Sequence, residues 1–203
     1  MKLVTVAPLV LMAGFAVPLR AQEVKEPRTG VSFPVKEDGM TLLGVGVRTK
    51  TFLKVKVYAA AFYVADAALT GPLAVHRGRT GTPAFYRDLV WGDFPKLMLL
   101  HFVRDVSTAQ IQESLREALA GADPTRREQF IAFFGDTHSG EEYRLRWSRG
   151  GTLEVTVAGK AKPPIPDKAF AAAAFGAWLG DQAVQADLKR ELVSRAPQVL
   201  PSP

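Results

Sequence analysis

Cysteine is missing from all 203 residues. That absence removes thiol nucleophiles, thiolate metal sites, redox dithiols and disulfides together. Histidine is nearly as scarce: His76, His101 and His138 stand alone, with no HxxxH spacing and no acidic cluster at ligand spacing, so no metal site is expected. His101, inside an apolar run, reads as a core histidine. The sequence also lacks a GxSxG elbow and a Walker-type phosphate loop, and Gly44-x-Gly46 has neither the third glycine nor the following helix of a dinucleotide loop. No cofactor is expected. Glu141 and Glu142 are adjacent, and adjacent strand residues point to opposite faces, which argues against a carboxylate dyad. Lys and Arg number 26 against 20 Asp and Glu, a net charge of +6, but the cations are scattered. Without a basic run interleaved with aromatics, nucleic acid is not expected as a partner.

What is present is an ordinary globular composition, 47% hydrophobic, in a chain long enough for one domain with a substantial core. The first 21 residues read as a secretory signal. Lys2 supplies the positive start, Leu3 to Val17 the apolar stretch, and Ala21 a small residue before the cut. That stretch is shorter than the ~20 residues that span a bilayer. The expectation is therefore a signal peptide over 1–21, a single domain over 22–203, no stable membrane span after cleavage, and a periplasmic or secreted location.

Residues 22–29 are polar and read as a loose lead-in, followed by a short strand over 31–35. Met40–Lys50 and Leu53–Ala65 predict a long hairpin. Leu42, Gly44, Gly46 and Arg48 then share one face of the first strand, and Tyr58 and Phe62 share the face of the second that turns apolar under a covering layer. Thr82-Pro83 opens a helix through Val90. Lys96–Arg104 is an apolar run expected as a strand buried on both faces. Ser107 with Gln110 forms a capping box ahead of Ile111, Leu115 and Leu119, with Gly121 as the stop. Asp123-Pro124 opens another helix. Tyr143–Trp147 and Leu153–Val157 alternate as a hairpin across Ser148–Gly151. Asp167 caps a helix ending at Gly180, a last helix carries Val184, Leu188 and Leu192, and the tail from Pro197 is expected to fray. Strands first and helices later argue for an α+β fold, an antiparallel sheet covered by helices on one face.

Arg48 carries the functional reading. Glycines at 44 and 46 remove side-chain volume from the face on which this guanidinium lies, and glycine within a strand marks a bulge or a close approach. Tyr58 on the return strand can share the same wall. A permanent cation and a neutral donor beside an apolar space suit a carboxylate or phenolate. A surface arginine beside Lys50, wholly in water, is the plainer alternative.

Gly44-Val-Gly-Val-Arg48 followed by Val55-Lys-Val-Tyr-Ala-Ala-Ala-Phe-Tyr-Val64 resembles the N-terminal signature of the chalcone isomerase-like family. Phe102-Val-Arg-Asp-Val-Ser107 and Phe175-Gly-Ala-Trp-Leu-Gly180 fit the same pattern, and the similarity covers about residues 30–195. The resemblance implies an open-faced β-sandwich, a large antiparallel sheet under a helical layer with an apolar cleft between them. It also implies one of two functions. Plant enzymes of the family close a chalcone to a flavanone, and fatty-acid-binding relatives hold an acyl chain in the same cleft. In both, an arginine matching Arg48 faces the ligand, and in the binding branch a tyrosine matching Tyr58 assists. The enzymes instead pair their arginine with a threonine, where this chain has Tyr58, and add a tyrosine and an asparagine near the helix that here begins at Ser107. This chain has no asparagine, and its tyrosines at 58, 63, 86 and 143 lie outside that helix. The resulting expectation is a non-catalytic pocket for a small apolar anion, a fatty acid or similar carboxylate. Arg48 and Tyr58 sit at its head group, and Leu42, Gly44, Gly46, Phe62, Leu100, Phe102, Ile111 and Leu115 line the site. No catalytic residue is assigned, Arg48 being the candidate if turnover exists. The alternatives are an intramolecular lyase acting on a phenolic enone, and a ligand-free interaction protein whose cleft is filled by its own side chains.

Overall fold

The structure is a computed structural model that describes residues 22–50 and 53–202; the expected signal peptide lies outside the described residues. In chain order the strands and helices are β1 (Glu23–Lys25), β2 (Ser32–Pro34), β3 (Lys36–Glu37), β4 (Met40–Lys50), β5 (Val55–Ala65), α1 (Asp66–Thr70), α2 (Pro83–Trp91) and β6 (Lys96–Phe102). There follow α3 (Thr108–Ala118), α4 (Pro124–Ile131), β7 (Glu142–Ser148), β8 (Thr152–Val157), β9 (Lys160–Ala161), β10 (Ile165–Pro166), α5 (Lys168–Leu179), α6 (Ala186–Glu191) and α7 (Ala196–Val199). Among the described residues, one antiparallel sheet of eight strands runs β10-β8-β7-β6-β5-β4-β3, with β9 paired to β8. The expected α+β architecture, a large sheet under helices, is what forms.

Local chemistry sets the element ends. Thr82, Ser107, Asp123 and Asp167 each accept a backbone N–H from the residue three along, and Ser107 and Gln110 complete a reciprocal capping box. Each such cap stabilises its helix by about 1 kcal/mol. On β7, Tyr143, Leu145 and Trp147 are buried on the helical side. The intervening Arg144 reaches Glu37 at 2.6 Å and Arg146 reaches Asp38 at 3.5 Å.

The helical side of the sheet holds the main core, in which Ala60, Phe62, Met98 and Trp147 pack beneath Phe85, Leu89, Phe170 and Phe175. Lys96 is fully buried there. Its ammonium donates to the carbonyls of Leu89 (2.7 Å), Val90 (2.9 Å) and Gly92 (3.0 Å) and lies 3.9 Å from the Trp147 ring. One lysine thus satisfies the last carbonyls of α2, which the helix itself cannot pair.

Two expectations at the ends of the chain are corrected. Residues 22–29 are not loose. β1 pairs with β2, placing Phe33 on a second, smaller core with Leu42, Ala59, Ala61, Tyr63, Leu97 and Leu99. Glu26 is fully buried and accepts hydrogen bonds from Thr29 N (2.7 Å), Thr29 Oγ1 (2.7 Å) and Arg28 Nε (2.9 Å). The tail does not fray at Pro197 either, because α7 forms and Leu200 is buried. His101 is not a core histidine: it is 27% exposed at the end of β6 and faces Glu142 at 3.2 Å.

Candidate functional site

Arg48 and Tyr58 are cross-strand partners on β4 and β5, and the register slips between Arg48 and Thr49. The slip is a bulge, which leaves one residue unpaired and re-aims its neighbours. Its effect is visible on β5, where Val57 and Tyr58, adjacent in sequence, both border the same cavity. That cavity, about 360 Å³, lies between the sheet and α3, α4 and α5. It is at the small end of the ~300–1,000 Å³ typical of ligand pockets. Leu100 and Phe102 from the sheet and Ile111, Leu115, Phe130 and Phe134 from the helices form much of its apolar wall.

Arg48 and Tyr58 stand side by side on the cavity wall. Arg48 is half-buried and makes no ion pair among the described residues. Its Nη1 donates to the Val184 carbonyl (2.9 Å) and to Gln185 Oε1 (3.3 Å), while Nε and Nη2 have no acceptor among the described residues. Tyr58 is buried and its oxygen accepts a hydrogen bond from Trp178 Nε1 at 2.9 Å. Burial pushes the Tyr58 phenol above its ordinary pKa, against the opposing pull of the Trp178 hydrogen bond and the Arg48 charge. The hydroxyl therefore stays neutral and keeps its proton to donate. Tyr143 borders the same space, and its hydroxyl is hydrogen-bonded to Thr137. Burial raises its pKa as well. The arrangement offers a cation and a neutral hydroxyl to an anion, with an apolar chamber beyond them.

Of the residues expected at the site, Arg48, Tyr58, Leu100, Phe102, Ile111 and Leu115 border this cavity, and Leu42, Gly44, Gly46 and Phe62 do not. Each departure has a physical cause. A second bulge, between Leu42 and Gly44, breaks the alternation and turns Leu42 to the opposite face of the sheet, against Tyr63 and Leu97. Phe62 is on the expected face but lies under α5, its ring 6.2 Å from that of Phe175. The glycines leave room for protein and not for ligand. A Cβ on Gly44 would fall 2.7 Å from the Leu192 carbonyl carbon, and one on Gly46 would fall 2.8 Å from Leu188 Cδ1. The space beside the glycines is filled, as a ligand-free scaffold would have it, whereas the space beside Arg48 and Tyr58 is open.

Sequence reasoning missed Trp178, Tyr143 and the 182–185 segment. Trp178 follows Phe170 and Ala174 at helical spacing, a pattern that by itself reads as core, and nothing local to Gln182 or Val184 indicates that they return to the cavity beside Arg48. Gln185 shows the same long-range return. Its Oε1 accepts from Thr49 N (2.9 Å) and Arg48 Nη1 (3.3 Å), and its Nε2 donates to the Val47 carbonyl (3.3 Å). It thereby pairs backbone groups on the edge of β4 and steadies the guanidinium.

Known proteins resemble this chain in sequence and in fold. Chalcone–flavanone isomerase 1A of Glycine max is 28% identical over 169 residues, covering 72% of this chain and 78% of that protein. Fatty-acid-binding protein 2 of Arabidopsis thaliana is 26% identical over 201 residues, covering 82% of this chain and 49% of that protein. The crystal structure of an Arabidopsis thaliana fatty-acid binding protein superposes with a TM-score of 0.74 at 20% identity, covering 88% of this chain and 99% of that one, so the fold is shared. The sheet, the helical layer and the arginine-bearing bulge fall within residues 21–194, which match the family model described as chalcone isomerase-like, and the chain belongs to that family.

Proposed function

We propose that this protein is a non-catalytic carrier that holds a fatty acid or similar apolar carboxylate, with Arg48 and Tyr58 at the head group. The observation that carries the reading is an arginine without a carboxylate partner among the described residues, bordering a mostly apolar cavity of about 360 Å³. A half-buried guanidinium without a counter-ion favours an anion in that place. The neutral Tyr58 hydroxyl supplies a second donor to the same carboxylate. The fatty-acid-binding relatives support the ligand class. The expected signal peptide would place the carrier in the periplasm or outside the cell. Native mass spectrometry after incubation with mixed lipids tests the proposal. Wild type is expected to retain free acids over alcohols and esters, and Arg48→Ala to lose that preference. Equal retention by both proteins, with no preference for acids, overturns it.

A second reading is an intramolecular lyase closing a phenolic enone. It is supported by the isomerase relatives and by two tyrosine hydroxyls, Tyr58 and Tyr143, in the same cavity as Arg48. The guanidinium would stabilise the charge that develops on the enolate oxygen. This reading requires turnover of hydroxychalcones that collapses in Arg48→Ala, and no turnover across a panel of them removes it.

A further inference from the structure

We propose that the acid held in the cavity also bears a hydroxyl group partway along its chain, which donates a hydrogen bond to the Tyr143 oxygen. This hydroxyl adds a second point of recognition to the carrier reading above, on which it rests. Two tyrosines border the cavity, and their protons are placed differently. The Tyr58 oxygen accepts from Trp178 Nε1 at 2.9 Å, and its own proton has no acceptor among the described residues. Tyr143 is hydrogen-bonded to Thr137, whose Oγ1 donates to the Gly135 carbonyl at 3.3 Å. A hydroxyl has one proton and two lone pairs. With the Thr137 proton directed at Gly135, the proton between the two side chains is that of Tyr143. Thr137 does not border the cavity, whereas Tyr143 does. Tyr58 therefore presents a donor to the ligand, and Tyr143 presents an acceptor.

One carboxylate cannot serve both tyrosines. It accepts from Arg48 and Tyr58 but has no proton to give Tyr143. Tyr58 is on β5 and Tyr143 on β7, and Phe102 of the intervening β6 packs against both rings, 5.4 Å from the first and 4.6 Å from the second. That spacing sets the hydroxyl several carbons from the head group. Leu100, the register partner of Tyr143, borders the cavity with Leu145 and Phe134, and none of the three offers a hydrogen bond. Gln110, Ser114, Glu117 and Gln182 also border it, but they are exposed or half-buried and are served by water. Tyr143 is only 2% exposed, so its free lone pair is matched best by a ligand donor. A hydroxyl fits better than an amide, whose carbonyl would need a donor that these apolar neighbours lack.

Displacement of a fluorescent acid tests the assignment, using laurate, 2-hydroxylaurate and the isomers hydroxylated from mid-chain to the terminal carbon. Wild type is expected to bind at least one of these distal isomers about fivefold or more tightly than 2-hydroxylaurate, which has the same carbons and the same hydroxyl. Tyr143→Phe should weaken that isomer about tenfold more than it weakens laurate, because a buried hydroxyl loses its partner. Laurate binding by the variant reports that it is folded, and the wild-type ranking decides the matter even where it is not. No distal isomer preferred over 2-hydroxylaurate, or an equal loss of the distal isomer and laurate in Tyr143→Phe, overturns the hydroxyl and leaves the carrier standing as long as laurate binds. No acid bound by wild type removes the carrier reading, and the hydroxyl with it.

Discussion

If the cavity holds an acyl chain headed by a carboxylate, affinity should divide into a slope set by the tail and an intercept set by Arg48. Each methylene moved from water into the apolar chamber contributes about 0.8 kcal/mol, roughly a fourfold gain in affinity. The chamber of about 360 Å³ limits how far that slope runs. Taking roughly 30 Å³ per water-sized group, it accommodates about a dozen such groups before the tail must emerge. Saturated acids from six to eighteen carbons, measured by calorimetry or displacement of a fluorescent acid, should therefore bind about fourfold more tightly per carbon and level off near twelve. Arg48→Met should displace the line without tilting it. A charge-assisted hydrogen bond contributes about 1.5–3 kcal/mol, so acids should weaken roughly tenfold to a hundredfold at every length. Alcohols of matching length should change little, and they control for any loosening of the 184–185 segment that Arg48 holds. A flat series, or an Arg48→Met line whose slope changes while the acid-over-alcohol preference persists, refutes the reasoning.

Other substitutions examine the scaffold around the site. Trp178→Phe removes the donor to the buried Tyr58 oxygen. It should lower stability by about 1–2 kcal/mol in urea titrations and weaken acid binding more than alcohol binding. Gly44→Ala drives a Cβ into the backbone of residues 191–192, and should cost about 1–3 kcal/mol or detach the C-terminal segment, seen as faster amide exchange there. Lys96→Met strips the donors from three carbonyls at the end of α2 and should cost about 2–5 kcal/mol by thermal or urea unfolding. Burial opposes ionisation of Glu26, but hydrogen bonds from Thr29 and Arg28 outweigh it and hold its carboxyl below the ordinary value of 4.5. With the folded pKa depressed, its contribution is complete above that ordinary value and drains away as pH falls through the folded one. Wild type should therefore lose stability on acidification below about 4.5 more steeply than Glu26→Gln.

Much of the fold was legible because its signals are local. Four helix starts were announced by a capping residue, the hairpins by alternation, and the β7–β8 turn by Gly150-Gly151. The family signature around Arg48 and Tyr58 likewise lies within two adjoining strands. The lead-in at 22–29 was misread because its order comes from Glu26, whose three hydrogen bonds offset the burial of a charge that looks solvated in sequence. The frayed-tail expectation failed because Leu200 is buried by tertiary packing that no neighbouring residue indicates. At the site, one bulge in β4 and one in β5 defeated a strict period of two: the first sends Leu42 to the far face, and the second sets Val57 beside Tyr58 at the cavity.

Composition and periodicity alone determined a chain without thiols and pointed to an α+β fold with an arginine and a tyrosine on neighbouring strands. Only the tertiary structure decided what the glycines are for. Their missing side chains admit α6 and its end instead of a ligand, because the backbone of Glu191 and Leu192 fills the space beside Gly44, and the side chains of Leu188 and Glu191 fill that beside Gly46. It also placed the void beside Arg48, since a cavity is what packing between distant elements leaves unfilled, and no local pattern records it.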